Sequence, residues 1–91
     1  MSYKIVIRPT AEKDIAKLKH SEPQAYRKLV ELLTELREHP ETGTAHPKPL
    51  GSSMSGKWSR RITQKHRLVY RVGKEDMVVS VYSAYGHYDD K

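Results

Sequence analysis

Trp58–Val72, WSRRITQKHRLVYRV, is the stretch on which the fold turns. Apolar and polar residues alternate through it on both sides of Thr63, Gln64, Lys65 and His66. Two short antiparallel strands are therefore expected, Trp58 to Thr63 and Arg67 to Val72, joined by that turn. Successive strand side chains leave opposite faces, so the same pattern sorts them. Trp58, Arg60 and Ile62 share one side, and Ser59, Arg61 and Thr63 the other. Leu68, Tyr70 and Val72 point inward, leaving Arg67, Val69 and Arg71 outward. Because Trp58 and Ile62 belong in a core, Arg60 is expected on the buried side with a structural partner such as a helix glutamate. Arg61, Arg67 and Arg71 then share the outer face.

Upstream of this pair, residues 40–57 hold three prolines, three glycines and several serines, an irregular connector. Before it the periodicity is helical. Thr10 is a plausible N-cap for a short helix to about His20, with Ala11, Ile15 and Leu18 as its buried stripe. Ser21 and Gln24 have the spacing of a capping box, and Pro23 is tolerated in a first turn. A second helix then presents Tyr26, Leu29, Val30, Leu33 and Leu36 on one face, and His39-Pro40 stops it. Tyr3 to Arg8 alternates as a first strand that Pro9 ends, and Met77 to Ala84 reads as a last strand after the turn Gly73 to Asp76. The order β-α-α-β-β-β predicts an α+β fold, a mainly antiparallel sheet with a two-helix hairpin on one face. Residues 1–91 are expected to form a single domain, without internal repeats.

Composition narrows the chemistry. The absence of cysteine excludes disulfides, thiolate nucleophiles and zinc–thiolate sites, and fits a reducing cytosol. The N-terminal residues lack the apolar run of a signal peptide, and no stretch approaches the roughly 18 apolar residues of a membrane span. A soluble cytoplasmic protein that makes no use of a membrane is expected. The net charge of +6 is concentrated: Thr42 to Lys74 contains no acid and eight cations, whereas the rest has nine basic residues against eleven acids. Such a local field attracts a polyanion, by counterion release if that is nucleic acid.

Guanidinium groups bind phosphate bidentately, so Arg61, Arg67 and Arg71 on one face make a phosphate platform. Beyond the last strand come His87 and Tyr88, and Gly86 lets the backbone turn them toward that platform. Cutting RNA without a metal requires a base for the ribose 2′-hydroxyl, cations for the phosphorane and an acid for the departing 5′-oxygen. Imidazole can supply the acid, and tyrosine can stack on a base to hold it in line. Arg61, Arg67, His87 and Tyr88 cover the cation and acid roles and leave the base unassigned. Lys57, Lys65 and Arg71, together with Tyr85, are further candidates for contacting the RNA. No cofactor or metal is expected.

The segment PKPLGSSMSGKWSRRITQKHRLVYRV, residues 47–72, taken with the ending GHY, resembles the Txe/YoeB branch of the RelE/ParE toxin superfamily. The combination of WSRRI, HRLVY and a terminal HY is far more specific than any one of them. The resemblance implies the RelE/ParE-like fold and a messenger-RNA endonuclease that acts in the decoding site of the 70S ribosome. It also implies silencing by a YefM/Phd-type antitoxin, contact with operator DNA only through that antitoxin, and a homodimer. It assigns the transition-state arginine to Arg67, the phosphate-binding arginine to Arg61, the catalytic histidine to His87 and the base-stacking tyrosine to Tyr88. One position departs: relatives carry a glutamate, read as the general base, between the two prolines of the connector, where this chain has Lys48. The lysine they carry three positions later is Gly51 here. For Lys48 to act as the base, its pKa must fall from ~10.4 toward neutrality. Two other readings stay open: a ParE-like toxin that binds gyrase without enzymatic activity, and an inactive relative that acts only as an antitoxin-binding co-repressor.

Overall fold

A computed structural model of the chain describes residues 2–45, 47–50 and 56–86. Seven elements follow one another: β1 (Lys4–Ile7), α1 (Pro9–Ser21), α2 (Pro23–Leu36), β2 (Lys48–Pro49), β3 (Lys57–Arg61), β4 (Arg67–Gly73) and β5 (Val78–Ser83). The strands form one sheet in the order β1-β5-β4-β3-β2. The β1–β5 pair is parallel and the other pairs are antiparallel. This is the expected α+β arrangement, except that the connector is not wholly irregular and contributes β2.

The helix boundaries correct the expected caps. α1 starts at Pro9 with Arg8 as N-cap, and no side chain caps it, so Thr10 is already helical. Proline suits that first position because its fixed φ is helical and its missing N–H would have no partner. The proposed capping box does not form. Glu22 is the N-cap of α2, and Ser21 Oγ instead donates to Lys17 O in the last turn of α1 at 2.7 Å. One residue therefore joins the two helices, with a proline opening each.

The buried line of α2 also differs from the expected one. Ala25, Leu29, Leu32 and Leu36 are buried, Tyr26 and Leu33 flank them, and Val30 is exposed. Spacings of four, three and four trace the true stripe; a face centred on Tyr26 and Val30 lies too far round the helix. These side chains meet Ala11 and Leu18 from α1, and Leu68, Tyr70, Val72, Val79 and Val81 from the sheet. Tyr3, Ile5, Ile7, Ile15 and Trp58 pack against the margin of that core.

Arg60 is the polar hub of the helix side and is fully buried. Its guanidinium pairs with Glu35 Oε1 at 3.1 Å and donates from Nε to Tyr70 Oη at 3.0 Å. It also donates to the carbonyls of His39, Thr42 at 2.6 Å and Thr44 at 3.3 Å. Tyr70 Oη in turn donates to Pro40 O at 2.7 Å. One side chain thus ties the end of α2 and the start of the connector to the central hairpin. Burial raises the pKa of the Tyr70 hydroxyl, against the opposing hydrogen bond from Arg60.

Candidate nucleic-acid interface

Register sets which cations meet. Across β3 and β4, Arg61 lies opposite Arg67, Ser59 opposite Val69, and Lys57 opposite Arg71. These rungs belong to the face opposite the core, since the intervening pairs Trp58–Tyr70 and Arg60–Leu68 point toward the helices. β2 extends the same face, because Lys48 lies opposite Ser59. None of the five strands contains an acidic residue.

Two of the three rungs are therefore like-charge pairs. Directly opposed like charges destabilise a sheet, so an anion bound between them would offset that cost. The two rungs are four residues apart, about 13 Å along the strands. Their surroundings differ from a flat cationic plain, for Ser59 and Val69 at the centre are buried. Lys48, Arg61 and Arg71 are exposed, and Lys57 and Arg67 are half-buried. Lys57 Nζ lies 4.6 Å from the Tyr82 ring centroid, and the Arg8 guanidinium lies 5.7 Å from it. Of the eight cations between Thr42 and Lys74, two are held by carboxylates among the described residues: Arg60 by Glu35, and Lys74 by Glu41 at 3.0 Å. The contact with Glu41 raises the pKa of Lys74.

Two proposed RNA contacts lie away from this face. Lys65 sits in the β3–β4 turn and lines a groove with Glu22, Pro23, Gln24 and Arg27 at the start of α2. Tyr85 turns toward α1, with Lys17 Nζ 4.6 Å from its ring and the His66 ring centroid 4.5 Å away. His87 and Tyr88 lie outside the described residues, as does Gly51.

The chain that leads to His87 is nevertheless anchored at the cationic rung. Gly86 O accepts a hydrogen bond from the Arg67 backbone N–H at 2.9 Å. Gly86 has φ +75°, a conformation open to glycine and strained for other residues. Ala84 N donates to Asp14 Oδ2 at 3.0 Å, and Gly86 N donates to His66 Nδ1 at 2.8 Å. Sequence reasoning passed over Tyr82 and His66. Alternation in β5 places Tyr82 on the outer face and would have found it. His66 gave no signal, because its role depends on partners 44 and 20 positions away.

Comparison with known proteins agrees across the chain. A family model described as the YoeB-like toxin of bacterial type II toxin–antitoxin systems matches residues 8–88. Toxin YoeB of Mycobacterium bovis is 42% identical over 62 residues, which cover 68% of this chain and 71% of that protein. Among solved structures, the YoeB/ParE toxin from Agrobacterium tumefaciens superposes with a TM-score of 0.87 at 32% identity, covering 93% of this chain and 99% of the other. A chain of the YoeB–YefM complex from Staphylococcus aureus gives 0.80 at 32% identity, covering 94% and 98%.

Proposed function

The chain belongs to the YoeB-like toxins of bacterial type II toxin–antitoxin systems, and from that premise we propose that it is a ribosome-dependent endoribonuclease that cuts messenger RNA in the 70S decoding site. The observation that carries this reading is the pair of like-charge rungs, Arg61–Arg67 and Lys57–Arg71, on one face of strands that contain no acidic residue. Both rungs lie on one face of a single hairpin, so one extended RNA backbone can contact both.

In the proposed reaction the ribose 2′-oxygen attacks the adjacent phosphorus while the bond from phosphorus to the 5′-oxygen breaks. A 2′,3′-cyclic phosphate and a 5′-hydroxyl result. Arg67 stabilises the phosphorane charge and Arg61 holds the phosphate. His87 gives a proton to the departing 5′-oxygen, and Tyr88 stacks on the neighbouring base. Lys48 either takes the 2′-hydroxyl proton or binds phosphate in place of a base. No step calls on a metal or cofactor. Arg71 and Lys57 extend the RNA path, and Lys65 and Tyr85 reach RNA only from beyond the sheet face.

As partner we propose a YefM-type antitoxin, supported by the Staphylococcus aureus complex, which silences the toxin and carries any operator contact. Self-association into a homodimer and a cytoplasmic location complete the reading. No helix among the described residues is long and apolar enough to cross a membrane.

The test is end-mapping of a defined message on purified 70S ribosomes. Cleavage is expected with ribosomes, with loss on adding antitoxin and steep weakening as salt rises. Uncut message together with stabilised gyrase–DNA cleavage complexes would replace this reading with the gyrase-binding one. Uncut message with intact antitoxin binding and no gyrase effect would leave the co-repressor.

A further inference from the structure

His66 is buried inside the HRLVY motif, yet neither the composition nor the proposed chemistry gives it a task. All of its polar capacity is in use. The Gly86 backbone N–H donates to Nδ1 at 2.8 Å, so Nδ1 carries no proton. The ring proton is therefore on Nε2, which donates to Glu22 Oε2 at 2.8 Å. Glu22 is the residue between the two helices and the N-cap of α2. The Tyr85 ring packs against the imidazole, with centroids 4.5 Å apart and planes tilted by 44°.

The next residue along the chain, Arg67, uses its own N–H to hold Gly86 O. Both backbone groups of Gly86 are thus bound by consecutive residues, one of which carries the proposed transition-state guanidinium. His87 is covalently attached to the peptide so held. We propose that His66 is a positioning residue for the nuclease: its Nδ1 clamps Gly86, and through Gly86 sets where the catalytic His87 starts relative to Arg67. Glu22 fixes the tautomer that makes this possible, as an orienting carboxylate does for other histidines. The proposal rests on the endoribonuclease reading for its effect on rate, but the clamp itself is independent of that reading.

Two substitutions divide the imidazole. Asparagine places its amide oxygen near the Nδ1 position and keeps an acceptor for Gly86 while losing Glu22. Glutamine places its amide near the Nε2 position and keeps Glu22 while losing Gly86. If His66 were only a core residue, the two variants would be ranked by stability alone. If it is the clamp, His66→Asn should keep kcat within about threefold of wild type. His66→Gln should lose about tenfold or more in kcat with KM little changed, the pattern of a misplaced catalytic group. Urea midpoints measured alongside separate a loss of fold from a loss of position.

A measurement on the unaltered protein needs no variant. Nitrogen chemical shifts should report an unprotonated Nδ1 on His66, and the Gly86 amide should exchange slowly with solvent. A protonated Nδ1, a freely exchanging Gly86 amide, or equal kcat in folded Asn and Gln variants would overturn the proposal. Should wild type itself leave message uncut, the function proposed above fails, while the shifts and exchange still decide the clamp.

Discussion

Arg60 and Arg61 are neighbours in sequence with the same side chain, and the pleat of one strand gives them opposite work. Arg60 enters the helix-covered side, where a carboxylate, a phenol and three carbonyls receive its donors. Arg61 leaves on the other side, exposed and facing a second arginine across the strands. The helix side holds its cation with matched acceptors and so spends it on the fold. Among the described residues the outer side assembles Arg61 and Arg67 without a carboxylate partner and so leaves them for a ligand. Stability and activity should therefore respond separately to two adjacent substitutions.

The largest expected effect is on the helix side. Arg60→Ala strands Glu35 and the carbonyls of the connector, and breaking a buried pair from one side costs about 3–5 kcal/mol. Small domains have only about 5–15 kcal/mol to lose. Chemical denaturation should show a largely or wholly unfolded protein, and Arg60→Lys should restore little, because an ammonium lacks the fork that serves five acceptors. A stable Arg60→Ala variant would break the contrast at its root.

On the outer side the effect moves to catalysis. Arg67→Ala should reduce cleavage on ribosomes about 100–1000-fold, the usual loss when one transition-state charge partner is removed, with the urea midpoint unchanged or slightly raised. Removing one member of a like-charge pair relieves the sheet. Arg61→Ala should act chiefly on binding, raising KM and making the salt dependence shallower by about one phosphate contact. At Lys48 the contrast sharpens to proton transfer against phosphate binding. Lys48→Ala should slow cleavage substantially. If Lys48 is the base, Lys48→Glu should recover rate and shift the alkaline dependence of kcat; if it only binds phosphate, the added negative charge should weaken cleavage further.

Much of this division was legible in the alternation of residues 58–72, because a strand has only two faces and Trp58, Leu68 and Tyr70 declare which is inner. That pattern also marked Arg60 for a helix carboxylate, which is Glu35. The sheet's parallel β1–β5 pairing was not legible, since alternation says which face a residue takes and nothing about its neighbour. β2 was hidden because a two-residue strand containing proline has no period to read. The caps failed for a different reason: Ser21 satisfied its hydroxyl within α1, and proline at each first turn removed a donor that a cap would have served. The tail anchors through Asp14 and His66 join residues far apart in sequence, where pattern carries no information.

The smallest effect tests whether acid sensitivity belongs to the helix side. Thr44 donates to Glu35 from its hydroxyl at 2.6 Å and its backbone N–H at 3.1 Å, and Arg60 adds its charge. The Thr44 hydroxyl leads the lowering of the Glu35 pKa below its ordinary 4.5, against the opposing effect of burial. The unfolded chain therefore takes up this proton before the folded one does. The stability that Glu35 confers is fully present above pH 4.5 and fades as pH falls through the depressed folded value. Glu35→Gln should lower the urea midpoint near neutrality, and the gap to wild type should close as the solution is acidified below 4.5. Arg61→Ala and Arg67→Ala should keep the wild-type acid limb, because neither guanidinium has a carboxylate partner among the described residues. An acid limb that flattened in those two variants instead would mean that the outer cations are paired after all, and the separation of the two faces would fail.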